Sequence, residues 1–88
     1  MAETLALQAL AYIVDDSTIC WRFLDLTGVN PSDLHTSVQD IAFLAAVIEF
    51  LLAHEPNLLA FCADAGIDPI LPARAHHVLR GNSAPDWN

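Results

Sequence analysis

The 88-residue chain is the size of one domain, since single domains run to about 50–200 residues. Hydrophobic residues make up 55% of it, above the roughly 45–50% usual for globular proteins, so so small a domain should keep apolar surface for a partner. Eleven acids stand against three Arg and no Lys, a formal charge of −8 that argues against phosphate backbones and anionic membranes and for either a solubilising acidic surface or an acidic face that docks on a basic partner.

The start Met1–Ala2–Glu3 lacks the cationic stretch of a secretory signal. A first helix is expected over residues 2–14, closed by the acidic pair Asp15–Asp16, and a second from Ser17 to Thr27. A short third helix follows Pro31 and fades near Thr36. Asp40 caps a fourth, reaching about His54. Glu55–Pro56 opens a fifth that stops at Gly66, and a sixth begins between Pro69 and Pro72 and continues to Arg80. Residues 1–80 thus form a single helical domain, and the Gly, Ser, Pro and Asn of residues 81–88 read as a disordered tail. No segment alternates with period two, so strands are not expected. The fold class is all-α, a compact bundle of five to six short helices.

Residues 23–31 read FLDLTGVNP and residues 61–69 read FCADAGIDP. Phe23, Gly28 and Pro31 fall on Phe61, Gly66 and Pro69 at an offset of 38 residues, and the same offset lays residues 5–14 over 43–52. Each glycine can end a helix in the left-handed conformation. The apolar Val29 or Ile67 then folds back towards Leu24 or Cys62, and Asn30 or Asp68 caps the next helix with proline at its first position. The chain therefore reads as two pseudo-repeated helix–Gly-turn–helix halves. Duplication and convergence on a shared turn requirement both account for this.

In the fourth helix Phe43, Leu44, Val47, Ile48, Phe50, Leu51 and Leu52 cover an arc of about 200° at 100° per residue, wider than the ~100° stripe of a surface helix. Glu49 alone, beside Ala46 and Ala53, marks an outer face. The helix is central, shared with a partner, or both. Its apolar run, 41–53, is interrupted by Glu49 and falls short of the ~20 residues of a membrane span. Cys20 and Cys62 sit in apolar helical patterns and read as reduced thiols in a cytoplasmic protein.

Chemistry is sparse. His76 and His77 are adjacent and point about 100° apart, unlike the i, i+4 pair of a zinc helix. No CxxC, nucleophile elbow or phosphate-cradling glycine loop occurs, so neither enzyme activity nor a metal or cofactor is expected. The turns raise a helix-turn-helix regulator as an alternative, but its first candidate recognition segment carries no cation and its second only Arg74 and Arg80. Trp21 beside Arg22 forms a candidate partner contact, because Trp and Arg are frequent hot spots; Glu49 is the third candidate. The leading reading is a non-catalytic protein-interaction or self-associating module, with a protein partner or homodimer and no nucleic acid, membrane or small-molecule substrate.

Four stretches, LALQALAYI, RFLDLTGVNPSDL, DIAFLAAVIEFLLAHEP and LLAFCADAGIDPILPARA, resemble in order a family of short alphaproteobacterial proteins known as domain of unknown function 3572. The resemblance covers roughly residues 5–80 and rests on two Gly–apolar–Asn/Asp–Pro turns flanking one Ala/Leu/Phe-rich helix. It implies a bacterial cytoplasmic protein and brings no catalytic residue or cofactor.

Overall fold

The computed structural model describes residues 2–83. Helices α1 (Ala2–Asp15) and α2 (Ser17–Thr27) lead into a 3-10 turn (Pro31–Asp33) that continues as the short α3 (Leu34–Ser37), followed by α4 (Ile41–Leu52), α5 (Glu55–Ala65) and α6 (Ile70–Ser83). No strand occurs among the described residues, so the chain is all-α as its patterning predicts.

The breaks follow local chemistry. Asp16 ends one helix and starts the next: its Oδ1 accepts the N–H groups of Thr18 and Ile19 at 3.0 and 3.2 Å, satisfying two donors that a helix start leaves orphaned. Asp40 Oδ1 accepts from Ala42 at 2.9 Å at the head of α4. Gly28 and Gly66 sit at φ 72° and 69°, the left-handed caps that the repeat requires. The two caps differ in detail. The Ile67 N–H returns to the Cys62 carbonyl at 3.0 Å, the Schellman bond, whereas Val29 N–H takes the Thr27 hydroxyl at 3.4 Å instead.

Both turns restart the chain in the same way. Asn30 Oδ1 accepts from Ser32 and Asp68 Oδ1 from Ile70, while Asp33 and Leu71 donate to the carbonyls of Asn30 and Asp68 at 2.8 and 2.9 Å. That tightened first turn settles Pro72. The carbonyl it would have bonded is already taken by Leu71, so its missing N–H costs nothing. The last helix runs past the expected Arg80, through Gly81 to Ser83, since a single glycine near a helix end weakens the helix by only about 0.5–1 kcal/mol. Residues 84–88, with Trp87, lie outside the described residues.

The repeat is also a packing repeat. Leu5, Ala6, Ala9, Leu10 and Ile13 of α1 are buried, and so are the residues 38 positions on, Phe43, Leu44, Val47, Ile48 and Leu51 of α4. Tyr12 packs on Phe61 with ring centroids 5.6 Å apart, and Phe23 on Phe50 at 5.3 Å. Shifting either pair by the repeat offset gives the other. This reciprocity is that of an isologous two-fold interface: α2 of the first half leans on α4 of the second, and α5 of the second on α1 of the first. The core is therefore shared by α1 and α4 rather than wrapped around α4 alone. The halves diverge after their glycine turns, where the first has the short α3 and the second has α6, which lies on both α1 and α4 and adds the buried Pro72, Ala75 and Leu79. Among the described residues no single helix is long and apolar enough to cross a membrane, and α4 and α5 meet at a bend of 108°.

Candidate functional site

Phe23 fixes the setting of α2. It is 1% exposed and its ring meets Phe43 and Phe50 edge-on at 5.9 and 5.3 Å, and burying such a side chain is worth about 1.5–3 kcal/mol. With Phe23 held inward, Trp21 and Leu26 are each left 72% exposed. Between α2 and α4 runs a groove of about 530 Å³. Leu26 and Val29 line it from the α2 side and Phe43, Ala46, Phe50 and Ala53 from α4, with Arg22, Glu49, His54 and Asn57 also along it.

Two of the three residues singled out from the sequence meet here, Arg22 on α2 and Glu49 on α4. Trp21 does not join them. Neighbouring helical residues point about 100° apart, so Trp21 turns to a separate hollow of about 350 Å³ beside Leu24, Gly28 and Pro31; Val29 lines both this hollow and the groove. Glu49 Oε2 accepts from His76 Nε2 on α6 at 3.2 Å, an exposed pair worth about 0–1 kcal/mol. Arg22 makes no ion pair among the described residues. The Nδ1 of His54, on the groove wall, is buried without a hydrogen-bond partner among the described residues.

A second hollow of about 420 Å³ lies between α1 and α5, lined by Gln8, Ala11, Tyr12, Asp15, Asp64 and Ala65 beside Phe61. Shifted by the repeat offset, the first six become Ala46, Glu49, Phe50, Ala53, Leu26 and Thr27, all of which line the α2–α4 groove. The two hollows are the same scaffold feature built twice with different chemistry. Where one carries Asp64, Asp15 and Tyr12, the other carries Leu26, Ala53 and Phe50. Leu26 was not singled out from the sequence, although the aligned motifs set it directly over Asp64.

Both cysteines are free, Cys20 half-buried and Cys62 buried. Burial, and secondarily the charge of Asp68, pushes the Cys62 thiol above its ordinary value of 9.0, which suits a core residue rather than a nucleophile. No three His, Cys, Asp or Glu side chains among the described residues are grouped to hold a metal ion. The segment after Gly28 that would serve as a recognition helix is split between the 3-10 turn and the four-residue α3.

The sequence model of a family described as protein of unknown function (DUF3572) matches residues 1–82. The chain belongs to this family. No curated protein and no solved structure matches it. The match spans both halves and both hollows of the DUF3572 fold, and the family description assigns neither a role.

Proposed function

We propose that the protein is a non-catalytic interaction module of the bacterial cytoplasm and that the α2–α4 groove, with Leu26 at its edge, is the surface it offers to another protein chain. The observation that carries this reading is the contrast between Leu26 and Asp64. At equivalent places on one scaffold, one half presents a solvated carboxylate and the other an aliphatic side chain left 72% exposed. Leucine in water forgoes about 1.5–3 kcal/mol that burial would return, and fold stability does not require it there, because Asp64 occupies the same position in the other half. The Asp-containing hollow supports this reading as the solvent-facing counterpart of the groove.

The helix-turn-helix alternative has less support. Its first candidate reading element is the split segment over Pro31–Asp33 and Leu34–Ser37, which contains no Lys or Arg to contact phosphates.

Photo-crosslinking tests the reading. A crosslinking residue at position 26, in the full chain expressed in its native host, should yield a discrete protein adduct, while the same residue at position 64 should yield none. Equal labelling from both positions, or none from position 26, would remove the groove as a docking surface.

A further inference from the structure

The proposed groove has a charge pattern that points to its occupant. The chain as a whole carries −8, yet the residues lining this groove include one formal cation, Arg22, and one formal anion, Glu49. The acids that dominate elsewhere avoid it. The equivalent hollow between α1 and α5, by contrast, holds Asp15 and Asp64 and no cation. A groove shaped for a basic partner would be acidic, and the acidic one is the other. A face with one charge of each sign on opposite helices is instead its own complement, because a two-fold operation brings residue i of one copy to residue j of the other and j to i.

Resting on the reading that the α2–α4 groove docks a protein, we propose that its occupant is a second copy of this chain, related by a two-fold axis, so that Leu26 of each copy enters the groove of the other and Arg22 of each faces Glu49 of the other. Three features fit together. Leu26 is the exposed apolar knob at the edge of an apolar groove. Arg22 has no ion-pair partner among the described residues. Glu49, whose side chain is 62% exposed, uses only Oε2 towards His76, leaving its other oxygen for a guanidinium. The same docking through the α1–α5 hollow would bring Asp64 of each copy into the hollow that holds Asp15 of the other, which like-charge repulsion disfavours. The Asp/Leu contrast therefore selects one face of the pseudo-symmetric molecule for pairing. Inside the chain the two halves already meet by the same reciprocal rule, through Phe23–Phe50 and Tyr12–Phe61.

Light scattering of the full chain across a wide concentration range should move from the 9.6 kDa monomer to twice that mass. Leu26→Asp, which copies the choice made at position 64, should hold the chain at monomer mass with an unchanged helical spectrum. Arg22→Glu and Glu49→Arg, each alone, set like charges at both contacts and should raise the dimer Kd more than about tenfold. Mixed together, these two variants should recover dimer mass, because each contact then joins opposite charges; loss of the Glu49–His76 bond cannot produce that recovery. A chain that stays monomeric throughout, a dimer indifferent to Leu26→Asp, or charge variants that stay monomeric when mixed would overturn the second-copy assignment. If a monomeric chain nonetheless gives a position-26 adduct with a different protein, the groove stands as a docking surface and only the identity of its occupant falls; with neither dimer nor adduct, both fall.

Discussion

The two-fold relation makes a differential test available at Phe23 and Phe61. Both rings are almost fully buried, at 1% and 2% exposure, and occupy equivalent positions in their halves, so replacing either with leucine removes the same volume from comparable surroundings. Their ring partners differ. Among the described residues, Phe23 meets both Phe43 and Phe50, at 5.9 and 5.3 Å, while Phe61 meets one ring, that of Tyr12, at 5.6 Å. Tilted and edge-on aromatic pairs contribute about 0.5–1.5 kcal/mol beyond the area they bury. Subtracting the two substitutions cancels the shared burial loss and leaves one ring pair. Phe23→Leu should therefore cost about 0.5–1.5 kcal/mol more than Phe61→Leu. Urea unfolding followed by helical circular dichroism reads this as a lower midpoint at unchanged slope. Thermal melts should separate the variants by about 4–8 °C per kcal/mol for a domain of this size. Equal costs, or a larger one at Phe61, would refute the assignment of that extra stability to the Phe43 contact.

The three glycines should respond with opposite signs. A Cβ at Gly28 or Gly66 meets nothing within 4 Å, so alanine there carries only the left-handed backbone penalty, about 1–2 kcal/mol; Gly81→Ala, in open space within α6, should stabilise by up to about 0.5–1 kcal/mol, and a melt showing the reverse order would contradict the cap geometry. Asp16→Ala removes the acceptor for two N–H groups and should cost about 1 kcal/mol, with faster amide exchange at Thr18 and Ile19 than at residues mid-helix. Because the Cys62 thiol is raised above 9.0 in the fold, the unfolded chain releases its proton first as pH rises. Stability should hold below about pH 9 and fall above it, at up to 1.36 kcal/mol per pH unit. Cys62→Ala should flatten that decline, and an equally steep fall without the thiol would assign it elsewhere.

The local grammar of this chain was legible because it is carried by residues in contact along the sequence. Asp16, Asp40, Asn30 and Asp68 cap within three residues of themselves, and Gly28 and Gly66 need only their own backbone. The start of α6 looked ambiguous because Pro72 is a helix breaker by type. Only the Leu71–Asp68 bond shows why it is tolerated. The reciprocal ring pairs were not legible, since nothing near Tyr12 announces that its partner stands at Phe61. Arg22 and Glu49 were found for partial reasons and share a groove that neither residue predicts. Trp21 was paired with Arg22 through sequence adjacency, which a helix turns into divergence. Leu26 was missed because an aliphatic residue three positions after Phe23 reads as core; its setting became visible once α2 was anchored through Phe23 and the residue at the matching position proved to be Asp64.

The crossed contacts also govern how the protein is made. Tyr12 waits for a ring at position 61 and Phe23 for one at position 50, so the first half leaves the ribosome with Leu5, Leu10 and Ile13 uncovered. At synthesis rates of about 5–20 residues per second, that strip stays open for seconds before α4 and α6 arrive to cover it. Tyr12 and Phe23 gain their ring partners only when positions 61 and 50 have been made, and Ala75 and Leu79 of α6 complete the cover. Slower translation between positions 37 and 79 should lengthen the exposure of that apolar strip.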